Sequence, residues 1–445
     1  MRIVQLTPGA GGMFCGSCLR DNALVRELRR LGHDALMVPL YMPLQVDEED
    51  TSAGAPVFFG GISVYLQQKS ALFRQAPALL DRVLADPAVL RWAAGFSGQA
   101  SPEVLGELTV SMLRGEDGRQ AKELEKLAAW LKPQPRPDVI SLSNALLLGM
   151  ARRLKADLGA PVVCTLHGED FFLDALPEPH RAEAWGVLRE RAAEIDGFVA
   201  VSRYYGETMR ARMGNLPAAR FHAVHNGIDL NGYAPAPSAP EAPTVGYLSR
   251  FSPEKGLPTL VEAFARLKMR GRVPGARLKL AGSQGPADAA FVKELKRDLA
   301  ARGLDADVSL HPNLTRAGKI AFLRTLSALS VPATYGEAFG LYVLEALACG
   351  VPVVQPEHGA FPELLAETGG GILCAADDPQ ALAEALEELL RNPARARELG
   401  EAGRRNVVLR FGVERMAREA LEAYVRAGSS IQAAEARSHG ERRNG

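Results

Sequence analysis

The chain has 445 residues, more than one hydrophobic core usually serves, so two domains of roughly 200 residues each are expected. It is 47% hydrophobic and 23% charged, and its 52 basic residues cancel 52 acidic ones, a balance that excludes a dedicated nucleic-acid binder. Five cysteines in so large a chain (Cys15, Cys18, Cys164, Cys349 and Cys374) argue against a disulfide framework and for reduced thiols.

Met1 to Leu6 reads as a strand and lacks the apolar core and small-residue cleavage site of a signal peptide. No later segment carries the roughly 18 uninterrupted apolar residues of a membrane span, so a cytoplasmic protein is expected. A glycine-rich turn from Gly9 to Gly16 follows that strand, then a helix with Leu24, Leu28 and Leu31 on one face, closed by Gly32, and a strand from Ala35 to Leu40. This is βαβ grammar and predicts a parallel sheet with helices on both faces. Apolar runs at Asp138 to Ser143, Pro161 to Leu166, Gly197 to Ser202 and Phe221 to His225 complete a first doubly wound domain, residues 1–235.

Between Leu44 and Leu131 a mostly helical insertion interrupts the pattern, with Pro-started segments at Pro77 to Leu84 and Pro87 to Phe96. From Leu66 to Leu131 eight Lys/Arg balance eight Asp/Glu, which gives no support to a basic membrane-surface face and favours a packed cap. Residues 236–243, within the Pro- and Ala-rich stretch Tyr233 to Pro243, are read as a semi-rigid linker. A second α/β series fills 244–410, with strands at Thr244 to Leu248, Arg277 to Ala281, Val308 to Leu310, Ala328 to Pro332 and Val351 to Gln355. Its helices include Leu257 to Lys268 and Leu341 to Cys349. Two such sheets in tandem imply a cleft between them. A helix at 411–427 is expected to cross back to the N-terminal domain, followed by a structureless polar tail at 428–445.

The most informative stretch runs from Tyr335 to Gly350, where a strand ends, a loop carries Glu337 and Gly340, and a helix begins at Leu341. Backbone N–H groups at such a helix start suit a diphosphate, and Glu345 one turn in could accept hydroxyl protons from a ribose. The arrangement resembles the E-x7-E motif of the retaining group-1 glycosyltransferases, family 4, which have the two-Rossmann GT-B fold. The resemblance implies that Glu337 contacts the transferred sugar, that Glu345 holds the ribose, and that Phe339, Gly340 and Leu341 line the donor site. It also implies that the nucleotide sugar is a substrate, with no cofactor and no metal required.

Arg250 and Lys255 lie in a strand-loop-helix unit, Val245 to Leu257, that looks like the family's phosphate-binding loop. Arginine can fork to phosphate oxygens and lysine can add a point charge, each contact strengthening as charge builds on the leaving nucleotide. In Thr165-Leu166-His167-Gly168-Glu169-Asp170 the histidine ends a parallel strand, where doubly wound sheets place ligands. Residues alone leave it as readily a local structural group; the family resemblance places a histidine here against the donor sugar. His167 and Glu337 are therefore the catalytic candidates, with Asp170 and Asn226 as secondary ones. Asn226 belongs to Val224 to Asp229, which together with Gly359 to Glu363 looks like family punctuation. Gly11 and Gly12 match the family's N-terminal glycine loop, although Met13 and Phe14 follow where relatives commonly carry a polar residue. Cys15 and Cys18 form a CxxC at a helix start, for which ordinary buried thiols are the simpler reading than a redox role.

Rival readings fit less well. A dinucleotide-binding dehydrogenase wants a third glycine where Phe14 stands and an acid after Leu40-Tyr41. A glycoside hydrolase would pair two carboxylates across the scissile bond, but eight helical residues rise about 12 Å and turn about 80°. Asp305-Ala306-Asp307 precedes its strand rather than following it, unlike the Asp-x-Asp of metal-dependent transferases. The expectation is thus transfer of a hexose-type sugar, with retention, to an unidentified saccharide, lipid or small-molecule hydroxyl. A nucleotide-sugar epimerase or binding protein on the same fold is the alternative. Nothing supports peripheral membrane contact.

Overall fold

The computed structural model describes residues 1–9, 16–44, 46, 49–60, 64, 67–68 and 101–441, with side chains to 429. It divides into two compact units, Met1–His225 with Met416–Gly445, and Asn226–Arg415. The stretch read as a linker falls within the second of these units, and its first residues are held there. Tyr233 is buried, and the Tyr233 and Ala234 carbonyls accept from Arg404 (3.2 Å) and Arg324 (2.8 Å).

The first unit is built on β1 (Arg2–Pro8), β2 (Asp34–Leu40), β3 (Val139–Leu142), β4 (Val162–Leu166), β5 (Gly197–Ala200) and β6 (Phe221–Ala223). All pair in parallel, in the order β2-β1-β3-β4-β5-β6. β3, β4 and β5 are buried at every position, as expected for strands covered on both faces. Helix α1 (Gly16–Arg30) buries Leu24 and Leu28 and ends at Gly32, whose φ of +85° and whose N–H bond to Arg29 form the left-handed cap. The insertion contributes α2 (Pro102–Arg114) and α3 (Ala121–Leu131); its expected segments Pro77 to Leu84 and Pro87 to Phe96 lie outside the described residues. Beyond β3 come α4 (Ala151–Leu158), α5 (Glu169–Asp174), α6 (His180–Ala192) and α7 (Arg203–Arg212), the last capped by Ser202 at 3.0 Å to the Tyr205 N–H.

The second unit carries β7 (Thr244–Leu248), β8 (Arg277–Gly282), β9 (Val308–Pro312), β10 (Ala328–Leu329), β11 (Val353–Pro356) and β12 (Gly371–Cys374). Their order is β12-β11-β10-β7-β8-β9, again parallel throughout. β12 escaped the sequence reading because its apolar run, Ile372 to Cys374, is only three residues long and follows three glycines. Among the helices, α8 (Leu257–Arg270), α9 (Ala289–Ala301), α10 (Arg316–Leu323), α11 (Leu341–Ala348), α12 (Phe361–Thr368), α13 (Pro379–Arg391) and α14 (Pro393–Arg410) flank the sheet. A final helix, α15 (Val413–Glu441), runs on through most of the polar stretch expected to be structureless. From Met416 onward it groups with the first unit, and its Tyr424 hydroxyl lies 3.2 Å from Ser141 Oγ of β3. No helix among the described residues is long and apolar enough to cross a membrane.

In each sheet the winding reverses once, between β1 and β3 in the first unit and between β7 and β10 in the second. Loops leaving adjacent strands at such a reversal diverge to opposite faces and open a crevice at the strands' carboxyl ends. The loops after β7 and β10 are of this kind and carry Lys255 and Glu337.

Candidate active site

In the second unit, the loop after β7 delivers Arg250 and Lys255, and the loop after β10 delivers Glu337. The approach is close. A Cβ on Gly256 would sit 1.7 Å from the Pro332 carbonyl oxygen, and one on Gly359 2.6 Å from the Glu337 backbone nitrogen. Both glycines also have left-handed φ, +75° and +61°, which other residues adopt at a cost. The Ala360 N–H donates to the Glu337 carbonyl at 2.9 Å, so the glycine turn after β11 clamps the loop that presents Glu337.

Three donors converge on one oxygen of Glu337, which is buried. Lys255 Nζ lies 2.6 Å from Oε2, the Tyr342 hydroxyl donates from 3.1 Å, and the Tyr335 hydroxyl from 3.4 Å. Lys255 also donates to the Tyr335 hydroxyl and sits 4.9 Å from the centroid of that ring. Burial disfavours the Lys255 ammonium, but the Glu337 charge and these hydrogen bonds outweigh it and hold its pKa above the ordinary lysine value. Burial together with the Glu337 charge pushes the Tyr335 hydroxyl up to about 12, and the same two causes raise Tyr342. Both phenols therefore stay protonated donors at neutral pH.

Helix α11 starts directly after this cluster. Gly340, at φ +90°, is its N-terminal cap residue, Phe339 is buried behind it, and the Val343 N–H closes the first turn on the Gly340 carbonyl. The N–H groups ahead of that first bond have no partner within the helix, which makes this end a natural anion site. One turn on, Glu345 Oε1 accepts from Lys319 Nζ of α10 at 2.6 Å and from the Tyr233 hydroxyl at 3.0 Å. Arg250 is half exposed and paired with Glu254. Asp307 is committed elsewhere, to Lys268 at 2.6 Å and Arg277 at 2.9 Å, consistent with reading Asp305-Ala306-Asp307 as a structural turn.

In the first unit, His167 stands at the end of β4. Glu169 Oε2 accepts the His167 and Gly168 N–H groups at 2.9 and 3.0 Å and the Tyr205 hydroxyl at 2.9 Å, while Oε1 accepts the Ala145 N–H at 3.0 Å. One buried carboxylate thus shapes the turn, with Gly168 at φ +113° supplying the bend. His167 Nε2 lies 4.0 Å from Oδ1 of the fully buried Asp21. Burial, reinforced by the Arg20 charge, takes the imidazole pKa well below its usual value, so the ring is neutral at pH 7. Asp170 accepts from Tyr205 at 2.9 Å and faces Arg212 at 3.7 Å. Asn226, the first residue of the second unit, is buried, with its backbone carbonyl 3.3 Å from Arg415 Nη2. Gly11, Gly12 and Cys15 lie outside the described residues, while Cys18 is buried, with its thiol 3.1 Å from the Pro8 carbonyl.

The structure thus joins Lys255 to Glu337, places Glu345 beside them on α11, and leaves Arg250 on the rim. Sequence reasoning missed Tyr335, Tyr342, Lys319 and Tyr233. The two tyrosines sat inside the quoted motif, where a hydroxyl two and five residues from Glu337 was a usable signal; Lys319 and Tyr233 reach Glu345 only through the fold.

Comparison with known proteins agrees with this architecture. Residues 234–406 match the family model for group 1 glycosyl transferases, and residues 89–231 that for Glycosyltransferase Family 4. The D-inositol 3-phosphate glycosyltransferase of Xylanimonas cellulosilytica is 30% identical over 76% of this chain and 82% of its own. The GDP-mannose-dependent alpha-(1-6)-phosphatidylinositol monomannoside mannosyltransferase of Mycolicibacterium smegmatis is 30% identical over 58% and 68%. Among solved structures, sucrose-phosphate synthase from Thermosynechococcus elongatus superposes with a TM-score of 0.71 at 20% identity, covering 97% of this chain and 100% of its own. Anabaena HepE in complex with UDP-glucose gives 0.66 at 20%, covering 95% and 98%. The chain is a glycosyltransferase with the two-domain GT-B fold, and belongs to the group-1 glycosyltransferases of family 4.

Proposed function

We propose that the enzyme transfers a hexose from a nucleoside diphosphate to an acceptor hydroxyl with retention of anomeric configuration and without a metal ion. The observation that carries this reading is the convergence of Lys255, Tyr335 and Tyr342 on Glu337 immediately ahead of the α11 N-terminus. A negative carboxylate beside the reacting sugar and a positive helix end beside the diphosphate are the charges that a leaving nucleotide and a developing oxocarbenium ion require.

In this mechanism the bond between the anomeric carbon and the phosphate oxygen breaks, and its electron pair goes to the diphosphate. Arg250, Lys255 and the N–H groups at Leu341 stabilise that charge. The acceptor hydroxyl bonds to the anomeric carbon on the same face and gives its proton to the departing phosphate. Glu337 acts at the sugar and Glu345 holds the ribose; the family resemblance is what assigns His167, in the first unit, to the sugar as well. Because relatives are named for GDP-mannose and a structural neighbour holds UDP-glucose, the donor nucleotide is a UDP- or GDP-type sugar.

A screen of UDP-, GDP- and ADP-sugars for acceptor-free hydrolysis tests the reading, with Glu337→Gln as control. One donor should be hydrolysed, and the variant should lose turnover far more than donor affinity. Absence of binding to every nucleotide and nucleotide sugar by thermal shift would overturn it. An epimerase would instead convert the donor without releasing the nucleoside diphosphate.

A further inference from the structure

The costliest arrangement in the first unit lies at its winding reversal. Asp21 of α1 is fully buried and accepts from Thr7 Oγ1 of β1 at 3.0 Å, from Ser143 Oγ beyond β3 at 2.5 Å, and from Gln5 Nε2 at 3.3 Å. Arg20, 2% exposed, forks one nitrogen to Asp21 Oδ1 at 2.9 Å. Around this hub Gln5 Oε1, Arg20 Nε, Arg20 Nη2 and His167 Nε2 are buried with no hydrogen-bond partner among the described residues. An apolar pair of similar volume would usually serve a core as well or better than a buried ion pair. Stability therefore gives little reason to keep Arg20 and Asp21 here, and among the described residues His167 faces them, its Nε2 4.0 Å from Asp21 Oδ1.

We propose that Asp21, held by Arg20, Thr7 and Ser143, is a positioning residue for His167, its carboxylate accepting the imidazole Nε2–H and leaving Nδ1 as the acceptor toward substrate. The 4.0 Å separation from Nε2 to Oδ1 exceeds an N–H···O bond by about 1 Å, so the role requires the ring to move that distance toward Asp21. Which nitrogen of a neutral histidine carries the proton is set by the partner of the other. The ring is neutral for the physical reasons given above, so its tautomer, not its charge, is what Asp21 controls. Four donors fix the carboxylate, which makes it a rigid reference point. The role deepens the glycosyltransferase reading and rests on it only for its effect on turnover.

The test is ¹⁵N NMR of the imidazole nitrogens in the full chain, with His167 assigned by its absence in His167→Gln. Wild type should show a single neutral tautomer with the proton on Nε2. The double variant Arg20→Met, Asp21→Leu removes both charges at similar volume; it should show a mixture of tautomers. Asp21→Asn keeps the shape with less charge and should move the Nε2–H proton upfield, a readout that remains if the double variant does not fold. With UDP-glucose as probe, kcat should fall by up to roughly 100-fold with KM little changed, the signature of misplacement. A wild-type proton on Nδ1, or unchanged His167 resonances in the folded variants, overturns the proposal. Because the NMR readout needs no substrate, a failure of UDP-glucose hydrolysis would count against the activity and not against Asp21.

Discussion

Replacing Lys255 by methionine isolates the central ion pair. Its ammonium and the Glu337 carboxylate are 19% and 11% exposed, so both charges are largely removed from water, and the bond between them is 2.6 Å. Removing one partner of a buried pair costs about 3 to 5 kcal/mol because the other charge is left uncompensated. Glu337 keeps two tyrosine donors, which offset part of this, and about 2 to 3 kcal/mol is the expected loss. At roughly 2 to 4 °C per kcal/mol for a domain of this size, the melting temperature of the donor-side unit should fall by about 5 to 10 °C. Adding Glu337→Gln should recover much of the loss, since the stranded charge disappears, giving a coupling energy in a double-mutant cycle.

The same pair predicts a pH signature. A raised lysine pKa means the folded chain holds this proton more tightly than the unfolded one. Its contribution is fully present below the unfolded value near 10.5 and is lost as pH rises through the folded value. Differential scanning calorimetry from pH 7 to 11 should therefore show the gap between wild type and Lys255→Met constant up to about pH 10 and narrowing beyond it. A variant that melts within about 0.5 kcal/mol of wild type, or a double variant no more stable than the single one, would refute the argument that the two charges depend on each other.

Other consequences follow from neighbouring contacts. Tyr342→Phe removes one hydrogen bond to a carboxylate and should cost about 1.5 to 3 kcal/mol in urea unfolding while lowering donor hydrolysis more than UDP affinity. Gly359→Ala places a Cβ against the Glu337 backbone at a left-handed φ, so it should destabilise by more than about 1 kcal/mol and reduce turnover; an unaffected rate would detach that turn from the site. His167 has a depressed pKa, so below about pH 6.5 the unfolded chain takes up a proton that the folded one refuses, and stability falls with pH. His167→Gln should remove that share of the acid loss, measured as a melting-temperature difference that grows in its favour from pH 7 to pH 5.

The fold was legible because parallel strands buried on both faces announce themselves as apolar runs, and because glycines mark where helices stop. β4 at Val162–Leu166 and β7 at Thr244–Leu248 fall within a residue of their expected bounds for that reason. The misses have equally local causes. β12 is only four residues long and follows two glycines, and Tyr233 and Ala234 open a stretch with a linker's composition yet are held by Arg404 and Arg324 from 171 and 90 residues away. No local pattern can register a partner that distant.

The site divides along the same line. Glu337, Glu345, Gly340 and Lys255 were readable because a loop between a strand and a helix concentrates glycines and charges in a short span. The partners of such carboxylates come from positions far apart in the chain. Lys255 meets Glu337 across 82 positions, Lys319 meets Glu345 across 26, and Ser143 meets Asp21 across 122. In both sheets these partners leave strands flanking the reversal or pack beside them. A carboxylate there is bounded by loops on either side, so donors far apart in the sequence can converge on it. Both units thus bury a carboxylate among donors beside the reversal, Asp21 on the helix that follows β1 and Glu337 in the loop that follows β10, although nothing in the two local sequences is alike.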